Sequence, residues 1–314
     1  MEKMFEEKLS EISEKFKNSQ KKKYYILKHK KHKREVYFQN KENAVNFMRV
    51  KFNSPLKRII YFFIKIGLLQ PFLKNVYLAE NFGDVIFVAG QIKGFKLKDK
   101  KVISFPLLGK NEDFIKSKKF QEKFALEGFA PKIFEINKNK IYSIEEMLTV
   151  YQENDDSGLI KRLMEFYNSQ GIKKISLKEH LKKINKRIKK SPYKNYIKSV
   201  LKRMNLSGKK FVVTTLHGDF SRGQILLKEG KYVFVDWNPE VDLITYDLVR
   251  FFESDPYLLK NKKFLTLLNL YPEDIKKNIR DYIILSDIYG IIKKNVLYPH
   301  TIKRVEFTLN CKTY

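Results

Sequence analysis

One stretch constrains this chain more than any other: Leu216-His217-Gly218-Asp219-Phe220-Ser221-Arg222-Gly223-Gln224-Ile225-Leu226-Leu227-Lys228-Glu229-Gly230-Lys231-Tyr232-Val233-Phe234-Val235-Asp236-Trp237. Apolar Val212-Val213 leads into a polar loop, and then Ile225-Leu226-Leu227 and Tyr232-Val233-Phe234-Val235 flank Lys228-Glu229-Gly230-Lys231. Two apolar runs around a short Gly-containing turn predict a β-hairpin. Asp219 lies on the loop before the hairpin and Asp236 follows its second strand, so strand pairing can carry both carboxylates to one cleft. Such a pair suits magnesium-dependent phosphoryl transfer: one acid orients or deprotonates the attacking hydroxyl while the other holds metal bridging the ATP phosphates. Magnesium takes oxygen ligands, and Gln224, five positions after Asp219, offers a side-chain carbonyl.

These residues resemble the catalytic core of the aminoglycoside phosphotransferase and choline kinase group, which shares the protein-kinase fold. The pattern of that group is His-Gly-Asp, four residues, Asn, then an apolar hairpin ending in Asp. The resemblance implies that Asp219 is the catalytic base, that Asp236 is the principal Mg2+ ligand and that His217 shapes the catalytic loop. Tyr246-Asp247-Leu248-Val249-Arg250-Phe251-Phe252 resembles the group's next landmark, in which an acid such as Asp247 braces the catalytic loop from a helix start. Four elements in the right order within about 35 residues are far more specific than a lone His-Gly-Asp. Gln224 departs from the pattern, standing where the group has Asn. The amide is kept one methylene further out, so metal coordination survives with shifted geometry or is weakened.

The fold implied is α+β and two-lobed, protein-kinase-like, with a small antiparallel-sheet lobe and a larger, mainly helical one. Val76 to Leu108 reads as several antiparallel strands, with Val85-Ile86-Phe87-Val88 and Val102-Ile103-Ser104-Phe105 separated by Gly90, Gly94 and the Lys98-Asp99-Lys100 turn. By resemblance a strand here carries a Lys for the ATP phosphates, and the aligned position is Ser104, which cannot do that job. Lys101 and Lys110 are nearby substitutes, although alternation puts Lys101 on the face opposite Ser104. Asn81-Phe82-Gly83-Asp84 is a candidate turn over the phosphates. Glu112 to Glu127 reads as a helix, in which Glu122 is the candidate partner for the missing Lys; a solvated helix face is the alternative. The strand Lys140-Ile141-Tyr142-Ser143-Ile144 leads to Glu145-Glu146-Met147-Leu148, which resembles the hinge that binds adenine, with Glu146 and Met147 as the adenine-binding candidates.

The chain has 314 residues, 43% of them hydrophobic, enough for two lobes with cores. It carries 64 Lys plus Arg against 35 Asp plus Glu, a formal charge of +29, which attracts polyanions such as nucleic acid, anionic headgroups or phosphorylated glycans. A single Cys311 excludes an internal disulfide and a Cys-based metal cluster. Met1 to Lys17 is charged and helical in pattern, unlike a signal peptide. The reading is a cytoplasmic protein able to lie peripherally at a membrane surface.

Basic residues concentrate between Gln170 and Asn205, where 13 Lys or Arg face one acid, Glu179, while Leu177, Leu181, Ile184 and Ile188 recur at helical spacing. This predicts an amphipathic helix with a basic outer face, either solvated or a platform for an anionic substrate, polyanion or membrane. Lys21-Lys22-Lys23 and Lys28-His29-Lys30-Lys31-His32-Lys33-Arg34 surround Tyr24-Tyr25-Ile26-Leu27 and Val36-Tyr37-Phe38, which suggests a basic hairpin. Asn40 is positioned to cap a helix through Met48. Leu56 to Leu73 is apolar, but Lys65 interrupts it and Pro71 stops it, so it does not span a membrane; it packs on the small lobe or lies at a membrane surface. Basic patches interleaved with aromatics also admit a nucleic-acid partner, without any recognised RNA- or DNA-binding signature.

The expected organisation is a basic N-terminal extension over 1–74, a small nucleotide-binding lobe over 75–146, and a large catalytic lobe over 147–314 with a basic helical insert at 170–205. The expected activity is ATP- and Mg2+-dependent phosphoryl transfer to a hydroxyl of a small molecule, sugar or lipid-linked glycan. Its rival is a catalytically impaired module of the same fold that binds anionic surfaces, for which Ser104 and Gln224 are the evidence.

Overall fold

The computed structural model describes residues 20–29, 34–44, 73–79, 82–88, 91–106, 110–150, 155–204 and 208–311, with Leu9, Ile12, Phe62, Phe63, Lys65, Ile66 and Leu68. They build two compact units, Met1–Tyr151 with Ile225–Val235, and Gln152–Gln224 with Asp236–Tyr314. The first is an antiparallel-sheet unit and the second is mainly helical, the α+β division expected.

The strands of the first unit are β1 (Lys21–His29), β2 (Arg34–Phe38), β3 (Asn75–Ala79), β4 (Val85–Val88), β5 (Gln91–Lys96), β6 (Lys101–Pro106), β7 (Ile133–Asn137) and β8 (Tyr142–Glu146). They form one sheet in the order β3-β1-β2-β4-β5-β6-β8-β7, with helix α1 (Asn111–Leu126) between β6 and β7 in sequence. Alternation along the strands gives the sheet two buried faces. Tyr24, Ile26, Tyr37, Ile86, Ile92, Ile103 and Phe105 form one cluster. Phe38, Val85, Phe95 and Val102, at alternate positions of the same strands, form the other.

The basic hairpin is present as β1 and β2, paired from Tyr25↔Phe38 to His29↔Arg34. Because β1 also pairs with β3, the boundary expected at 74/75 runs through this sheet. Asn40 caps a helix as expected, its Oδ1 accepting from the Asn43 N–H at 2.8 Å. The continuation of that helix, the Met1–Lys17 helix and most of Leu56–Leu73 lie outside the described residues.

A second small sheet joins β9 (Thr149–Val150) to the hairpin of β12 (Ile225–Lys228) and β13 (Lys231–Phe234). Its two turn residues, Glu229 and Gly230, have φ of 51° and 76°, the left-handed pair that a two-residue turn matched to strand twist requires.

The second unit contains α2 (Asp156–Gln170), β10 (Lys173–Ser176), α3 (Leu177–Lys190), α4 (Lys194–Arg203), β11 (Lys210–Thr215), β14 (Val241–Leu243), α5 (Tyr246–Phe251), α6 (Lys262–Leu268), α7 (Glu273–Lys277), α8 (Ile279–Lys294) and α9 (Pro299–Asn310). Helix α8 is buried nearly all round, including Ile283, Ile284, Leu285, Ile288 and Ile291, as befits a central helix. Helix α3 starts with a Ser176–Glu179 capping box and buries Ile184 and Ile188, leaving Lys178, Lys182, Lys186 and Lys189 exposed. The basic amphipathic helix is therefore present. It also buries His180, whose Nδ1 lies 3.9 Å from the Asp242 carboxylate. Among the described residues no helix is long and apolar enough to cross a membrane.

Candidate active site

The His217–Asp219 loop is held from below by one carboxylate. Asp247, at the start of α5, is fully buried, and burying a carboxyl group demands hydrogen-bond partners on its oxygens. Its Oδ2 accepts from the His217 N–H at 2.7 Å and the Tyr167 hydroxyl at 2.9 Å, and its Oδ1 from the Gly218 N–H at 3.0 Å. Burial, followed by the Asp247 charge, pushes the Tyr167 phenol up, so the hydroxyl stays a donor. The His217 ring is also fully buried, 4.6 Å from the Trp237 ring and 5.7 Å from Phe220.

Gly218 has φ 85°, and a Cβ there would sit 1.9 Å from the Asn238 carbonyl oxygen. Strain and overlap together predict that Gly218→Ala lowers stability by about 2 kcal/mol or more. Urea denaturation checks this, and an unchanged midpoint would contradict the tight seating of the loop.

Strand β11 pairs with β14 from Val213↔Leu243 to Thr215↔Val241. The antiparallel contact continues past both strands, through Leu216 N–H to the Glu240 carbonyl at 2.9 Å and Asn238 N–H to the His217 carbonyl at 3.1 Å. The segments bearing Asp219 and Asp236 thus run side by side. The sequence suggests that the β12–β13 hairpin does this work; the pairing that aligns the two segments is β11 with β14.

Asp219 accepts from Gln224 Nε2 at 3.0 Å on one oxygen and from Arg250 at 3.2 Å on the other, with its side chain 45% exposed. Burial pushes its pKa up, but the Gln224 hydrogen bond and the Arg250 charge outweigh this and hold it below the ordinary carboxylate value. Asp219 is therefore an ionised, solvent-reachable carboxylate. Asp236 has a left-handed backbone, φ 60°, a conformation that costs a residue with a Cβ about 1–2 kcal/mol. Such local strain is commonly kept at working sites.

The donor set fits a hard cation. Asp236 offers carboxylate oxygens, and the Gln224 carbonyl, which accepts from Ser221 Oγ at 2.9 Å, retains a second lone pair. Among the described residues no cluster of three His, Cys, Asp or Glu forms a metal cage. Magnesium does not need one, since substrate phosphates and water normally complete its shell around one or two carboxylates.

Sequence reasoning gave no role to three nearby cations. Arg250 lies one turn after Asp247 on α5 and pairs with Asp219 and Glu253. Lys293, 11% exposed, donates to the Gly218 carbonyl at 2.8 Å and the Asn238 carbonyl at 3.3 Å, tying together the two acid-bearing segments. Lys294 pairs with Glu253 at 2.7 Å; burial and then the Arg250 charge bring its pKa down to about 8. Arg250 was visible in the motif. The two lysines close α8, more than 70 positions from Asp219, and no local signal marks them.

In the first unit the strand position aligned with the phosphate lysine is Ser104, fully buried, its hydroxyl bonded to Glu145 of β8. The Glu145 carboxylate also takes Lys118 Nζ at 2.9 Å and Gln121 Nε2 at 2.6 Å from α1. The buried polar residues of α1 are thus Lys118 and Gln121, whereas Glu122 is exposed. The helix acid expected at Glu122 does not form a strand contact. The buried ion pair of this unit has its acid, Glu145, on β8 and its lysine, Lys118, on α1.

Neither substitute lysine reaches Ser104. Lys101 stands on the opposite face of β6 with its ammonium 5.4 Å from the Phe134 ring centre, and Lys110 is exposed ahead of α1. Glu146 pairs with Lys228 at 2.7 Å. The Met147 N–H donates to the Lys100 carbonyl at 2.8 Å, and its side chain packs with Val85, Phe95 and Val102. Asp84, in the turn proposed to cover phosphates, accepts from the Leu97 N–H at 2.8 Å, and the Gly83 carbonyl accepts from the Tyr24 hydroxyl at 2.5 Å. That turn is engaged in closing the sheet.

No protein-family model and no curated protein matches the chain. Solved structures similar to it include a choline kinase, LicA, from Streptococcus pneumoniae, with 14% identity, 71% of this chain and 89% of that one covered, and a TM-score of 0.49. A choline/ethanolamine kinase family protein from Mesorhizobium loti has 11% identity, coverage of 73% and 85%, and a TM-score of 0.41. The aminoglycoside phosphotransferase APH(4)-Ia has 11% identity, coverage of 72% and 86%, and a TM-score of 0.41. The chain is similar to members of the group that its His217–Asp236 motif resembles.

Proposed function

We propose that the chain is an ATP- and Mg2+-dependent phosphotransferase acting on a hydroxyl of a small molecule, sugar or lipid-linked glycan. The observation that carries this reading is an ionised, half-exposed Asp219 on a loop braced by Asp247, alongside the segment that presents Asp236. Asp219 would take the proton of the acceptor hydroxyl as its oxygen bonds to the γ-phosphorus and ADP departs. Arg250 and Gln224 hold the Asp219 carboxylate from both sides, fixing its orientation. Asp236 and the Gln224 carbonyl would hold Mg2+, which supplies neutralisation of phosphate charge when bound.

A second reading, a catalytically impaired module that binds anionic surfaces through the basic face of α3, draws on two engaged side chains. The Ser104 hydroxyl is committed to Glu145, and the Gln224 amide to Asp219 and Ser221. Calorimetric titration with MgATP separates the two. The phosphotransferase reading expects binding by wild type and a loss of about tenfold or more in Asp236→Ala, or about 1.4 kcal/mol. Absence of binding by wild type favours the impaired module.

A further inference from the structure

We propose that Lys93, on β5, supplies the cation for the nucleotide's phosphates that Ser104 on β6 cannot. The inference deepens the phosphotransferase reading and rests on it. A phosphoryl-transfer site needs a lysine over the nucleotide's phosphates, and the question is which strand delivers it.

The register answers it. Lys93 is the direct antiparallel partner of Ser104, and residues directly opposite in such a pair project to the same face with Cβ atoms about 4.5–5.5 Å apart. A lysine at 93 therefore stands beside the serine, on the face that also carries Glu145. Lys93 is half-buried. Burial pushes the Glu145 carboxyl up, and the charges of Lys118 and then Lys93 bring it below its ordinary value.

The competing lysines fail on geometry. Lys118 is 1% exposed and held by Glu145 and Gln121, and drawing it away would strand a buried carboxylate. Lys96 and Lys101 pair with each other on the other face. Within β4, β5, β6 and β8, Lys93 is the lysine that shares Ser104's face and still meets solvent.

The test is isothermal titration of the full chain with MgATP and, separately, adenosine. Lys93→Met is expected to weaken MgATP by about tenfold or more while leaving adenosine affinity unchanged, and Lys101→Ala is expected to change neither. Adding Ser104→Lys to Lys93→Met should restore MgATP affinity by returning the cation to the same face, a rescue that a purely structural role for Lys93 would not give. Wild-type binding with undiminished MgATP affinity in Lys93→Met overturns the assignment of Lys93 alone. No MgATP binding by wild type overturns the phosphotransferase reading and this assignment with it. Circular dichroism of Lys93→Met separates lost folding from a lost contact; if that variant unfolds, the double variant carries the decision, and a folded double variant that binds MgATP no better than adenosine overturns the assignment.

Discussion

Asp219→Asn is expected to cut phosphoryl transfer by about 10²–10⁴-fold, the range over which a positioned general base contributes, while MgATP affinity stays close to that of wild type. The amide keeps the side chain's size and an acceptor oxygen for Arg250 but cannot take a proton. The wild-type pH profile carries a matching signature. Because Asp219 is held below the ordinary carboxylate value, it remains a competent base down through the usual Asp range near about 3.9. Its acid limb should fall below that range. Arg250→Met removes one of the stabilising charges, so the limb should move to higher pH. A limb that stays in place would remove Arg250 from the account, and an Asp219→Asn enzyme with full turnover would remove Asp219.

The second large effect is on stability. Glu145→Ala should destabilise the sheet unit by about 3–5 kcal/mol, the usual penalty for removing one partner of a buried ion pair. Lys118 would be left as an unpaired ammonium with 1% of its side chain exposed. Ser104 and Gln121 would lose their acceptor as well. The double change Glu145→Leu with Lys118→Met should recover most of the loss, since an apolar pair of similar volume often matches a buried salt bridge. Urea unfolding followed by hydrogen exchange across β6, β8 and α1 reads this directly. A Glu145→Ala loss under about 1 kcal/mol would show that the pair is solvated and not buried.

What the chain reveals without its fold divides by sequence distance. The His217–Asp219 loop, the β12–β13 hairpin and Asp247 lie within a few dozen residues, and each rests on a local rule: turn residues, alternation, a helix start. Those features are all present in the structure. The strands β4 and β6, helix α1 and the basic α3 were legible for the same reason.

The small-unit site was less so because its determinants are set by phase and register. Glu122 has the right charge but the wrong helical phase: the inward stripe of α1 runs Phe114, Lys118, Gln121, Phe124, a helical spacing anchored by the two phenylalanines. Lys101 and Lys110 are near Ser104 in sequence, but Lys101 stands on the other face of β6 and Lys110 lies beyond that strand, ahead of α1. The residue that shares Ser104's face comes from the neighbouring strand. The join of β1 to β3, across more than 40 residues, was hidden because nothing local specifies which edge a hairpin adds to.

The most direct test of the central claim counts the metal. Electron paramagnetic resonance of Mn2+, standing in for Mg2+, should show ATP-dependent binding to the wild-type chain that disappears in Asp236→Ala and persists in Asp219→Asn. Mn2+ bound equally by wild type and Asp236→Ala, or no ATP-dependent binding in wild type, would contradict a phosphoryl-transfer site built on Asp219 and Asp236.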